Sequence, residues 1–305
     1  MKKREECRSR WKSILLTAAA VFFVFFFAIP LLISIFSDDK LGNVALIPIE
    51  GEITADGGQE MGLAAVSAKE IVNFVEEADE NPEIKVILLE INSPGGSAVA
   101  SDEIADAVST ASKPVVALIR EAGASGAYWV ASAADYVIAN RMSITGSIGV
   151  LSSYLEFSGL MEKYGVNYEE LTAGQYKELG SPYKTLSSQD RLILQSKLNK
   201  IHGYFIEKVA ENRKLDIENV KALATGEFFL GVEALDLGLV DQLGNKDTAE
   251  EFIKGTYGLK KISYVNYEHE TGFFDILGSV FSDFSFKMGE GIGSILLKQQ
   301  ARVWL

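Results

Sequence analysis

Two rhythms of apolar positions run along this chain. Residues 84–91 read IKVILLEI, an almost unbroken apolar run that predicts a buried parallel strand, and it leads straight into a glycine turn, NSPGG at 92–96. Residues 44–49 (VALIPI), 114–119 (PVVALI) and 135–139 (DYVIA) predict further strands. Between strands the period lengthens. Ile71, Phe74, Val75 and Ala78 recur at helical spacing within 67–78, leaving Lys69, Glu70, Glu76 and Glu77 for solvent. Helices are also predicted over 101–108, 127–134, 155–164 and 247–257. A long amphipathic helix starts at Ser187, with Gln189 and Asp190 early, and continues through Leu192, Leu198, Ile201 and Phe205 to about Asn212. GVNYEELT at 165–172 predicts a return strand, and residues 226–241 a glycine-punctuated helix and strand. Alternating strands and helices imply an α/β fold with parallel strands and right-handed crossovers.

The ends differ from this body. Residues 2–12 carry six basic side chains against two acidic ones, and residues 14–36 follow without a charge, 23 positions in all. A helix of about 20 apolar residues spans a bilayer core. The stretch exceeds the apolar region of a cleavable leader and ends in IFSDDK, so it is expected to be an uncleaved anchor. Basic residues before the span place the N-terminus in the cytoplasm and the body outside. The expected organisation is a basic segment at 1–13, a transmembrane anchor at 14–36, a main domain at 40–265 and an amphipathic extension at 266–305. The extension carries apolar residues at near-helical spacing, suited to docking on a subunit or lying on a membrane surface.

Composition narrows the chemistry. A formal net charge of −13, with no basic stripe in the body, argues against a nucleic-acid partner. The one cysteine, Cys7, precludes an intrachain disulfide and a Cys-rich zinc site. The two histidines, His202 and His269, have no neighbour at metal-ligand spacing, so neither a metal nor a cofactor is expected.

Candidate chemistry centres on REAGASGAYW at 120–129. Ser125 sits there between a strand and a helix, where free N–H groups and the positive end of the helix dipole favour a developing oxyanion. Small neighbours admit a substrate carbonyl, although a packing turn whose serine merely caps the helix has the same pattern. A serine nucleophile needs a base and oxyanion donors. With histidine scarce, a lysine deprotonated by burial is the next candidate. Lys177, in AGQYKELGSPY, lies among small and aromatic residues that could exclude water, or else is an ordinary surface residue. Gly95 or Gly96, after the buried strand, can add a backbone N–H to that of Gly126.

Four runs, NSPGG at 92–96, GASGAYW at 123–129, YKELGSP at 176–182 and ALDLGLVDQLG at 234–244, resemble in order and spacing the signal peptide peptidase A family over residues 44–258. That resemblance implies a Clp-protease or crotonase-like ββα superhelix behind one membrane anchor. It implies Ser125 as nucleophile, Lys177 as general base, and Gly95, Gly96 and Gly126 as the oxyanion-hole residues. It further implies a homo-oligomeric ring whose active sites face the membrane, a dyad completed within or between subunits, and remnant signal peptides as substrates. A broader membrane-protein quality-control protease is a close alternative. A crotonase-type acyl-thioester enzyme fits an external domain poorly, and a catalytically silent scaffold fits the presence of both dyad residues poorly. One departure is EFFLG at 227–231, where the family pattern is basic-aromatic-Thr-Gly.

Overall fold

The computed structural model describes residues 16–18, 20–29, 42–60 and 63–268. The chain divides into two units, 1–266 and 267–305. Of the second, only Tyr267 and Glu268 are described, so the expected C-terminal extension lies outside the described residues. So does much of the expected anchor. Its described parts are helical, with a π-helical turn at Val24–Ala28. Among the described residues no helix is long and apolar enough to cross a membrane.

In chain order the body runs β1 (Val44–Glu50), β2 (Glu52–Thr54), β3 (Gly58–Glu60), β4 (Leu63–Ser67), α1 (Ala68–Glu80), β5 (Val86–Ser93), α2 (Ala98–Thr110) and β6 (Val115–Ala124). It continues through α3 (Gly126–Ser132), β7 (Tyr136–Ala139), β8 (Ile144–Gly146), α4 (Ser158–Lys163), α5 (Ser188–Arg213) and α6 (Ile217–Leu223). β9 (Phe228–Leu230), α7 (Gly231–Asp236), β10 (Gln242–Leu243), α8 (Lys246–Tyr257) and β11 (Tyr264–Asn266) complete it.

The main sheet has the order β10-β7-β6-β5-β1-β11, and every pairing along it is parallel. The expected α/β architecture with parallel strands is what forms. Alternation puts Val86 and Leu88 of β5, with Val44, Val116, Leu118 and Ile138, on one face against Ala249 and Ile253 of α8. Ile87, Leu89 and Ile91 are equally buried on the other face, where α1, α2 and α3 pack. Each such side chain contributes about 2 kcal/mol by leaving water. Serine caps set the helix starts: Ser67, Ser97 and Ser187 accept from the N–H groups of Glu70, Ala100 and Asp190.

β6 is longer than its neighbours, and this length organises what lies above the sheet. Val116–Ile119 pair with β7, after which Ala122–Ala124 pair with β8, which in turn pairs antiparallel with β9. The departing run at 227–231 therefore still enters the sheet. A second small sheet, β2-β4-β3, was not foreseen.

One expectation fails. Residues 165–172 form no strand, and the predicted helix at 155–164 shortens to α4. The segment 151–187 runs mostly without regular structure and exposes apolar side chains, with Leu155 73%, Tyr164 71% and Leu171 100% accessible. Among the described residues, no strand lies paired beside it.

Candidate active site

β5 and β6 reach their carboxyl ends side by side, Ser93 opposite Gly123, and the carboxyl edge of a parallel sheet is where such folds bind ligands. β6 ends at Ala124 and α3 begins at Gly126, so Ser125 alone makes the reversal. Its backbone takes φ 52° and ψ −125°, a region that glycine enters freely and other residues enter at a cost of about 1–3 kcal/mol. Ser125 N–H donates to Gly146 O at 2.8 Å, and its carbonyl accepts from Trp129 N–H at 3.0 Å. Its hydroxyl makes no helix cap and no hydrogen bond among the described residues.

The turn after β5 is pinned from two sides. The buried Ser93 hydroxyl accepts from Gly95 N–H at 3.1 Å. Outside, Ile53 of β2 donates to Gly95 O at 2.9 Å and accepts from Ser97 N–H at 2.8 Å. Gly95 has φ +98°, and a Cβ there would meet Ala124 O at 2.8 Å and the Ser125 Cβ at 3.0 Å. Gly126 is equally tight, since its own Cβ would come within 3.1 Å of Ser101 Cβ and 3.3 Å of Gly96 N. Gly95 N–H is thus occupied, whereas the N–H groups of Gly96 and Gly126 have no acceptor among the described residues. Of the three glycines, these two combine an available donor with proximity to Ser125.

Two cavities adjoin Ser125. One, about 440 Å³, has walls from Gly96, Gly126, Trp129, Leu198, Ile201 and Phe205, with the Trp129 and Phe205 rings stacked at 4.8 Å. The other, about 450 Å³, has walls from Ser147, Gln195, Asn199, His202 and Thr225. Neither is lined by an acidic or basic side chain apart from His202. His202 Nε2 lies 3.3 Å from Ile148 O, and because a carbonyl only accepts, Nε2 carries the proton. Below α3, Tyr128 is fully buried. Burial pushes its phenol up, and it donates to Leu239 O at 2.9 Å.

Lys177 stands elsewhere. It is exposed in a turn within 151–187, where its N–H donates to Gly174 O at 3.1 Å, and it lines neither cavity. One chain therefore brings Ser125, Gly95, Gly96 and Gly126 together and leaves Lys177 outside. The contribution of α5 was not foreseen, although the spacing of Leu198, Ile201 and Phe205 had already marked one helix face.

Residues 107–260 match the model of Peptidase family S49, and residues 60–151 that of Clp protease. The chain is 32% identical over 271 residues to a putative protease of Methanocaldococcus jannaschii, covering 87% of this chain and 85% of that one. It is 33% identical over 200 residues to a putative signal peptide peptidase of Enterococcus faecium, covering 65% of this chain and 58% of the relative. It is 29% identical over 248 residues to a chloroplastic serine protease of Arabidopsis thaliana, covering 78% of this chain and 36% of the other.

Proposed function

The chain belongs to peptidase family S49 and is a serine protease; we propose that it cleaves peptides by acyl transfer, with Ser125 as nucleophile and Lys177 as general base. The observation that supports this reading is the pair of Gly96 and Gly126 N–H groups, which have no acceptor among the described residues, close to a serine whose hydroxyl likewise has no partner among them. Neutral lysine takes the Ser125 proton, Oγ attacks the scissile carbonyl, and the two N–H groups hold the oxyanion. The lysine then protonates the leaving amine. Water, deprotonated by the same lysine, releases the acyl group.

The exposed position of Lys177 supports a dyad completed between copies. The exposed apolar side chains of 151–187, Leu155, Tyr164 and Leu171 among them, favour burial against a second subunit, and a ring supplies one neighbour for every site. Such contact would also remove water from the lysine, as its role as a base requires. The uncharged run at 14–36 supports a single-pass anchor in the cell membrane with the catalytic domain outside. Substrates are then extended peptides with small or apolar residues near the cut, remnant signal peptides first and damaged membrane proteins second.

The test is a fluorogenic peptide assay on the full chain with Ser125→Ala, Lys177→Ala and a mixture of the two. Each variant alone is expected to lose at least 10³-fold in kcat. If subunits exchange, the mixture recovers activity by pairing an intact serine with an intact lysine. Full activity of Lys177→Ala would remove the lysine from the mechanism.

A further inference from the structure

The cavity that holds Ser125 and Trp129 does not end at the indole. A further cavity of about 480 Å³, between α2 and α5, shares Ala98, Trp129 and Ile201 with it, so the two form one cleft running along α5. Trp129, 5% exposed and stacked on Phe205, is common to both parts. Its buried Nε1–H has no acceptor among the described residues. Buried donors ordinarily have a partner, and the carbonyl of a peptide lying in this cleft would be one.

The far part of the cleft differs from the near part in charge. No charged side chain lines the cavity beside Ser125, whereas Asp102 of α2 and Glu207, Lys208 and Glu211 of α5 line the further one. Lys208 Nζ stands 3.9 Å from both Glu211 and Asp106, which leaves Asp102 and Glu207 with neither a hydrogen bond nor an ion pair among the described residues. Burial and then Asp106 raise the Asp102 carboxyl, and Lys208 offsets only part of this. The group is short of positive charge. A cation entering here meets two carboxylates without a partner, and its stem can lie against the exposed ring of Tyr204.

The helix also sets the distance. From Leu198, in the wall beside Ser125, α5 advances about 14 Å to Glu207 and about 20 Å to Glu211. An extended chain covers that in about four to six residues. We infer that the far part of the cleft is an exosite for a lysine or arginine of the substrate, about four to six residues from the scissile bond. This rests on the peptidase reading above and narrows its substrate class. A signal peptide joins an apolar run of about 7–15 residues to a basic segment. An uncharged cavity at the bond and an acidic one beyond it follow the same succession.

The experiment uses the full chain and quenched peptides with one cut in an alanine-leucine core, fixed by mass spectrometry. Lysine or glutamine is placed in turn at each position from about two to eight residues on either side. Wild type is expected to favour lysine by about fivefold in kcat/KM, through KM, at about four to six residues on one side of the cut, and to lose the preference as salt rises. Asp102→Asn with Glu207→Gln should bring the ratio to about one. Glu76→Gln with Glu77→Gln, which removes the same charge from the solvent face of α1, should leave it as in wild type. Labelling of Ser125 by a fluorophosphonate verifies that each variant retains a folded site. Cleavage without a lysine preference, or a preference that survives the Asp102 and Glu207 substitutions or falls equally with those in α1, overturns this inference and leaves the peptidase reading intact. If wild type neither cleaves any peptide nor takes the label, the peptidase reading fails and the exosite fails with it.

Discussion

A Cβ built on Gly95 would stand 2.6 Å from the backbone nitrogen of Gly126. Two turns from adjacent strands are therefore in backbone contact, and no L side chain fits between them. Gly95→Ala also meets φ +98°, so it must push the two turns apart. The expected result is a loss of at least 10²-fold in kcat, comparable to removing one oxyanion donor. The strain should lower the melting temperature as well, while KM should move far less. Steady-state kinetics beside a thermal melt would check it, and an active Gly95→Ala protein would mean that the oxyanion is held elsewhere.

Stability depends on a second long-range link. The Arg213 guanidinium, only 7% exposed, grips Asp241 with two bonds of 2.6 and 3.0 Å, and the same carboxylate accepts from Val137 N–H at 2.7 Å. This ties the end of α5 to the edge of the main sheet. Arg213→Ala strands a partly buried carboxylate and is expected to cost about 3 kcal/mol in urea unfolding. Arg213→Lys should recover only part, because an ammonium cannot reproduce the paired geometry.

Glu90 gives the fold a predictable acid limb. Burial raises its carboxyl, but Lys246 at 2.9 Å and then Arg120 outweigh it and hold the group below the ordinary glutamate value. With the folded value depressed, the stabilisation is fully present above the unfolded value, about pH 4.3, and is lost as pH falls through the folded one. Glu90→Gln should flatten the stability curve below about pH 4.3. Unfolding midpoints measured across that range would decide it, and parallel curves for the two proteins would exclude the role.

The sequence was readable where burial is supplied by the same chain. IKVILLEI, PVVALI and the helical runs at 67–78 and 187–212 became β5, β6, α1 and α5 because their apolar residues meet this sheet. GVNYEELT had the same look and formed no strand. Val166, Tyr168 and Leu171 are exposed, and a pattern of apolar positions does not say which surface will cover them. The β2-β4-β3 sheet escaped notice because its strands are short and mostly small or polar. At the site, glycine placement and Ser125 were legible from local chain geometry. The choice of Gly96 over Gly95 was not, since it depends on where the Ser93 hydroxyl turns. His202 carried a weak signal, its place one turn beyond Asn199 and two beyond Gln195 on one helix face.

Ser125 occupies a backbone conformation better suited to glycine. Ser125→Gly should therefore abolish cleavage and still raise the unfolding free energy by about 1 kcal/mol, checked by denaturant titration. A library of this protein sorted for heat resistance alone would discard its serine, and a library sorted for turnover would restore it. At this position, endurance and activity select opposite residues.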